Sequence, residues 1–138
     1  MNNKTLWIGF VVVFIVIQGI GFVVHTIMMA DTYANLGGVF RSGPEMMDMT
    51  WMMMVSSAAM LFMFCYIFTK GYEGGGIMEG VRFGLMVGIM MAGAMAIDPH
   101  VIFPLPANVA TVWLLAGVGS LMVGGAVFAA IYKPHSSG

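Results

Sequence analysis

Residues 5–30 read TLWIGFVVVFIVIQGIGFVVHTIMMA, a stretch of 26 residues without an Asp, Glu, Lys or Arg. An apolar helix of about 20 residues is long enough to cross the ~30 Å hydrocarbon core of a bilayer. Because lipid offers no hydrogen-bond partners, such a segment must satisfy its backbone groups within its own helix. The stretch therefore predicts a first membrane-spanning helix, over about residues 6–29.

Three further apolar segments follow this first one, and they predict spans over about residues 49–69, 77–97 and 107–132. Charged residues make up 8% of the chain, far below the roughly 25% of a soluble domain. We therefore predict an all-α fold, a four-helix transmembrane bundle that forms a single integral membrane domain over residues 1–133. Residues 134–138 read PHSSG and are expected to be a remnant of cloning, so His135 is left out of the functional reasoning.

The basic residues are distributed unevenly between the two sides of a four-span chain. One side holds four of them, and the other holds only Arg41; the four are Lys4, Lys70, Arg82 and Lys133. Loops rich in Lys and Arg remain in the cytoplasm. Both termini are therefore predicted to be cytoplasmic (N-in/C-in). The net charge of −1 argues against a nucleic-acid partner, which would require a basic surface.

Small residues recur at every fourth position of the third span, at Gly80, Gly84, Gly88 and Ala92. In lipid, helices associate through close backbone approach, which such a stripe permits. Two interpretations remain open: the stripe packs within the bundle, or it contacts a second copy of the chain or a larger membrane complex. We expect a homo-oligomer or a larger complex.

Methionine is unusually abundant, at 17 of 138 residues, and several of these residues cluster where the second span begins. Thioether sulfur is a soft ligand that suits Cu(I). The candidate ligands are Met46, Met47, Met49 and Met53. Copper or another transition metal is thus the candidate cofactor. The alternative is that these flexible side chains only fill the core.

Polar side chains near the outer ends of the spans are the other candidates for a site. His25 lies in the first span, seven residues after the intramembrane Gln18, and Asp98 and His100 end the third span on the same side. Ionisable groups in membrane helices usually face the bundle interior and mark functional sites. His25, Asp98 and His100 are therefore predicted to form an outward-facing ligand or metal site with the methionines. Interhelical hydrogen bonds and a capped helix end are the competing explanations.

On the inner side, Glu79 and Arg82 are three residues apart and are predicted to form an ion pair on one helix face. The run Glu79-Gly80-Val81-Arg82-Phe83-Gly84 also contributes to a likeness that covers most of the chain. Scattered residues elsewhere contribute as well: His25, Met29, Tyr33, Arg41, Met46, Met47, Trp51 and the closing Ile131, Tyr132 and Lys133. With these residues, the chain resembles a group of small uncharacterised bacterial inner-membrane proteins. No activity or cofactor is implied by that resemblance. It implies a location in a bacterial inner membrane and gives His25, Arg41, Glu79 and Arg82 priority for testing.

These observations predict a membrane binding or transport module with an outward-facing site. The most specific candidate ligand for this site is a soft metal ion such as Cu(I). The main alternative is a non-catalytic accessory or assembly subunit that packs against a larger complex through its Gly-rich helix face. A membrane enzyme acting on a lipid-borne substrate is the third alternative, and no residue is assigned a catalytic role.

Overall fold

Residues 2–134 of the computed structural model are described here, and they are helical apart from short connections. The elements are α1 (Asn3–Gly21), a π-helical segment (Phe22–Met28) that continues it, α2 (Ala30–Ala34), α3 (Gly43–Gly71), α4 (Gly76–Ile102) and α5 (Ala107–Ile131). Four units in this part of the chain are long and apolar enough to cross a membrane: Asn3–Met28, α3, α4 and α5, of 26, 29, 27 and 25 residues. The predicted all-α, four-span architecture is thus confirmed. The predicted tail beyond residue 134 lies outside the described residues.

Two helices extend beyond the predicted spans, and local chemistry explains both cases. Helix α3 begins at Gly43 because Ser42 and Glu45 form a capping box in which each side chain binds the other residue's backbone N–H. Helix α4 does not end at Asp98 but continues to Ile102, with Pro99 inside it. A proline this close to the C-terminus of a helix removes only one backbone donor, and the Phe103 N–H still donates to the Pro99 carbonyl at 2.8 Å.

The two ends of the bundle differ in charge. At one end the Thr5 hydroxyl donates to the Lys133 carbonyl at 3.3 Å, and the Tyr72 and Tyr132 rings lie 5.6 Å apart. This end therefore carries residues 2–5, residues 131–134 and the connection between α3 and α4. It is called the basic end below because it holds Lys4, Lys70, Arg82 and Lys133. The opposite end is called the loop end and is formed by α2, residues 35–42 and residues 103–106.

The predicted ion pair between Glu79 and Arg82 is wrong, because the connection at the basic end binds the Glu79 carboxylate instead. The Glu79 carboxylate accepts the backbone N–H groups of Glu73 and Gly75, at 2.7 and 2.6 Å. Among residues 2–134 no ion pair within 4.0 Å joins it to Arg82. Backbone N–H groups satisfy the carboxylate because the connection turns back over the first turn of α4, through positive φ at Gly74 (+92°).

Helices α4 and α5 form the closest pair in the described chain, and the small residues of α4 explain why. A Cβ atom on Gly80 or Gly84 would overlap the carbonyl oxygen of Gly125 or Leu121 on α5. One on Gly88 would lie 2.9 Å from the Cα of Val118, and the next residue of the stripe, Ala92, is buried. The stripe therefore packs against α5 of the same chain. It does not provide the free face that an oligomer or accessory-subunit interface would need.

The core lies mainly in the half of the bundle near the basic end. Phe128 of α5 is fully buried and lies against Gly9 of α1, where a Cβ would come within 2.6 Å of its ring. The Phe68 ring of α3 packs edge-on against Phe128, with centroids 5.6 Å apart. The Phe83 ring of α4 lies 5.4 Å from Phe68. Aromatic rings therefore hold α3 to the rest of the bundle, while each residue of its first part, 43–56, is exposed.

Gly84→Ala is expected to destabilise the bundle, whereas Gly93→Ala in the same helix is not. The new methyl group at position 84 would collide with the α5 backbone, while nothing lies within 4 Å of the corresponding atom at position 93. Overpacking costs about 1–3 kcal/mol, and an open Gly→Ala change in a helix gains about 0.5–1 kcal/mol. The free energy of unfolding, measured by detergent titration in mixed micelles, checks this; equal stabilities for the two variants would contradict the close α4–α5 contact.

Candidate functional site

A polar network of three aromatic side chains lies at the loop end. The Trp113 indole N–H of α5 donates to the Tyr33 hydroxyl of α2 at 2.7 Å. The same hydroxyl lies 2.7 Å from Nδ1 of His25 in the π-helical segment. The His25 and Tyr33 rings are stacked, with centroids 6.1 Å apart. Residues from the first span, from α2 and from the last span are thus held together at one point.

The donor inventory of these groups fixes the direction of the Trp113–Tyr33 bond, and the tautomer of His25 decides that of the other. Tryptophan can only donate, so the Tyr33 oxygen is the acceptor from Trp113. Tyr33 still has its own proton, and it can donate this to Nδ1 of a neutral His25 whose proton is on Nε2. His25 is exposed in this part of the structure, so Nε2 is the ring nitrogen left for a ligand.

The π-helical segment accounts for the position of His25. Its backbone bonds span five residues, as in the bond from the Met29 N–H to the Val24 carbonyl at 3.0 Å. Such a segment inserts an extra residue per turn and often occurs at functional sites. It ends directly before α2, which carries Tyr33 back towards His25.

Beside the network lies a cavity of about 420 Å³, which is open to the outside of the bundle. Trp113 belongs to both, and Phe40 connects them, with its ring 5.3 Å from that of Tyr33. The lining is almost entirely apolar. It comes from residues 39–41 of the loop before α3, from the start of α3, from the end of α4 and the connection that follows it, and from α5. Its members are Val39, Phe40, Arg41, Met46, Pro99, Phe103, Leu105 and Trp113. Its volume lies in the range of small-molecule pockets, about 300–1,000 Å³.

Arg41 is the one charged side chain in this lining. Within residues 2–134 it forms no ion pair within 4.0 Å. A guanidinium group beside apolar and aromatic walls suits a carboxylate or phosphate, which it can bind through two parallel hydrogen bonds.

The predicted metal-site residues are brought together only in part. Met46 lines the cavity, but the other methionines of the set are exposed on α3, Met47 at 77%. Nδ1 of His100 lies 2.6 Å from the Leu105 carbonyl, so His100 holds the connection to α5. Asp98 is exposed. Within residues 2–134 no group of three or more His, Cys, Asp or Glu side chains is arranged to hold a metal ion.

Gln18, the predicted intramembrane polar residue, links two helices. Its amide nitrogen donates to the Met54 sulfur at 2.9 Å, and its amide oxygen accepts from the Ser57 hydroxyl at 3.1 Å. Both partners are on α3. Gln18 therefore acts as a polar bridge within the bundle, which holds α3 against α1 below the loop end.

Sequence reasoning missed the partnership of Tyr33 and Trp113 and the cavity beside them. Trp113 lies six residues into α5, a position where a packed tryptophan is expected, and Tyr33 is in a connection whose path the sequence did not define. The available signal was that His25 and Tyr33 both belong to the residues that carry the family resemblance. Comparison of the chain with family models, with curated proteins and with solved structures gives no match. The fold therefore defines a class, a multi-pass α-helical membrane protein, and nothing narrower.

The hydroxyl of Tyr33 should ionise only at unusually high pH. Burial raises its pKa above the ordinary value of 10.0, although the hydrogen bond from Trp113 acts in the opposite direction. Since the pKa is higher in the folded than in the unfolded state, the stabilisation is complete below about pH 10 and is lost as the pH rises through the folded-state pKa.

Tyr33→Phe should therefore cost about 1–2 kcal/mol at neutral pH, because it removes two hydrogen bonds, and should make stability less sensitive to pH above about 10. The free energy of unfolding as a function of pH checks both effects. Tyr66→Phe, which removes a phenol near the basic end, is the control. If the two variants showed the same alkaline profile, the network would not contribute as described.

Proposed function

We propose that this protein is a membrane binding module whose site opens at the loop end, and that it takes a small apolar ligand carrying one anionic group. The observation that carries the proposal is the cavity lined by Phe40, Trp113 and Arg41. Apolar walls with a few well-placed polar groups are the usual design of a small-molecule site. The positive-inside distribution of the other four basic residues supports a location of this end outside the cytoplasm.

The charge in the cavity favours an anion over the soft metal ion suggested by the methionines. The guanidinium of Arg41 would repel a bound cation, and only Met46 of the methionine set shares the lining with it. A carboxylate or phosphate gains a charge-assisted pair at the same position. Binding is favoured over passage through the bundle because Phe68, Phe83 and Phe128 pack together below, near the basic end.

Octanoate is a suitable probe because it combines an eight-carbon chain with one carboxylate. In a Trp7→Phe, Trp51→Phe background, Trp113 is the sole tryptophan, so its fluorescence reports on the cavity. We expect octanoate to bind the protein in nanodiscs more tightly than octanol does. Arg41→Gln should weaken octanoate binding about tenfold, because a hydrogen bond to a charged group contributes about 1.5 kcal/mol or more.

Lys133→Gln, which removes one positive charge at the basic end, is the matched control and should leave octanoate affinity unchanged. Equal affinities for octanoate and octanol, or an Arg41→Gln variant that binds like the parent, would contradict the proposal. Elemental mass spectrometry on the same preparations tests the metal alternative. Copper near one equivalent, lost in His25→Ala or in a Met46/Met47/Met49→Leu triple variant, would replace the anion site with a metal site.

A second candidate function, assembly with other membrane chains, is favoured by the first half of α3. Each of residues 43–56 is exposed, even though Met54 accepts a hydrogen bond from Gln18 and Met46 lines the cavity. A helix of a bundle normally buries one face. In this version the contact would be made by α3 and not by the Gly-rich face of α4. The partner that we propose is a second copy of the chain.

Cysteine cross-linking in native membranes tests this second candidate. Val55 in α3 and Ile89 in α4 are equally exposed, at 61% and 60%, and both are near the middle of their helices. We expect Val55→Cys to give a cross-linked dimer with a bifunctional maleimide and Ile89→Cys to give none. Equal yields from the two positions would indicate random collisions and contradict the α3 contact.

A further inference from the structure

A second cavity lies at the basic end, between the end of α3 and the start of α4. Its volume is about 900 Å³, and its lining includes two basic side chains, Lys70 and Arg82, and two acidic ones, Glu73 and Glu79. The site described above lies at the opposite end of the bundle and shares none of these residues.

The recess exists because aromatic side chains separate these two consecutive helices. The Phe64 and Phe83 rings are 4.8 Å apart, and Phe68 lies 5.4 Å from Phe83. These rings fill the space between the helix backbones at the level of the core. Nearer the basic end the space is left open and is bounded by the connection between the helices, Gly71 to Gly75.

Within the described residues the two cations of the recess form no ion pair with its two carboxylates. Glu79, the carboxylate nearest in sequence to Arg82, is bound to the backbone N–H groups of Glu73 and Gly75. Within residues 2–134 neither Lys70 nor Arg82 forms an ion pair within 4.0 Å. The ammonium group of Lys70 lies 5.1 Å from the centre of the Tyr66 ring, which leaves its hydrogen-bond donors free for a ligand.

Beyond these cations, the walls of the recess are apolar and continue along the lipid-facing side of the helices. They include Ile67 on α3 and Met78, Phe83 and Met86 on α4, and of these Ile67, Met78 and Met86 are exposed. An occupant would therefore meet two unpaired cations, with the Glu73 carboxylate beside them, at the membrane boundary and hydrocarbon-like surface deeper in the bilayer. Basic pockets between membrane helices on the cytoplasmic side bind anionic lipid head groups.

We infer that this recess binds one anionic phospholipid, with its phosphate between Lys70 and Arg82 and an acyl chain along Phe83 and Met86. The two unpaired cations bind the phosphate, because the Glu79 carboxylate is already held by backbone N–H groups, and the apolar wall selects a lipid over a free phosphate. Lipid bound here would also fill the space that the aromatic rings leave between α3 and α4.

Native mass spectrometry of the intact protein in detergent tests the inference. Phosphatidylglycerol and phosphatidylcholine with the same acyl chains are titrated separately, and soluble glycerol phosphate serves as the probe for a free-phosphate site. We expect the protein to prefer phosphatidylglycerol. Lys70→Gln and Arg82→Gln should each weaken its binding roughly fivefold, and the double variant roughly twenty-five-fold, with phosphatidylcholine binding unchanged.

Lys4→Gln/Lys133→Gln is the matched control, since it removes two positive charges from the same end without touching the recess lining. The charge-preserving pair Lys70→Arg/Arg82→Lys should retain binding, and it replaces the neutral double variant if that variant does not fold. Three results would overturn the inference: no preference for phosphatidylglycerol, an equal loss in the control pair, or glycerol phosphate that competes with the lipid at equal concentration.

Discussion

The contact between α4 and α5 is the constraint on which the rest of the structure depends. Gly80 and Gly84 bring the two backbones so close that a single methyl group does not fit between them. In a membrane, where apolar burial gives little net attraction between helices, this close packing provides the association that water would otherwise drive. Helix α1 then packs against α5, with Phe128 lying on Gly9, and aromatic rings attach α3 to this unit.

The consequence is a bundle that is closely packed at one end and open at the other. At the basic end Phe68, Phe83 and Phe128 form a continuous set of ring contacts. At the loop end the Tyr33 hydroxyl is hydrogen-bonded to both Trp113 and His25. These bonds hold α2 to the first and last spans, and the cavity lies beside them. A rigid base that supports an open, polar end suits a binding site, because the loops can accept a ligand without disturbing the core.

The sequence predicted individual site residues less well than the helices. His100 was predicted as a ligand, and the sequence did not indicate that it also holds the connection after α4, through the carbonyl of Leu105. Glu79 was paired with Arg82 but instead binds backbone N–H groups. In both cases a nearby backbone group in a tight connection satisfied the side chain, and the path of a connection is not encoded in the periodicity of the helices on either side of it.

The sequence by itself determined the class of protein and the face by which α4 packs. Apolar segments of this length must be helical in lipid, and a stripe of small residues at every fourth position marks a line of close contact wherever its partner is. Only the tertiary structure decided that the partner is α5 of the same chain, that Tyr33 joins His25 to Trp113, and that Lys70 and Arg82 share a recess. These contacts join residues far apart in the chain, or depend on how far two helices are separated, and helical periodicity contains no information on either.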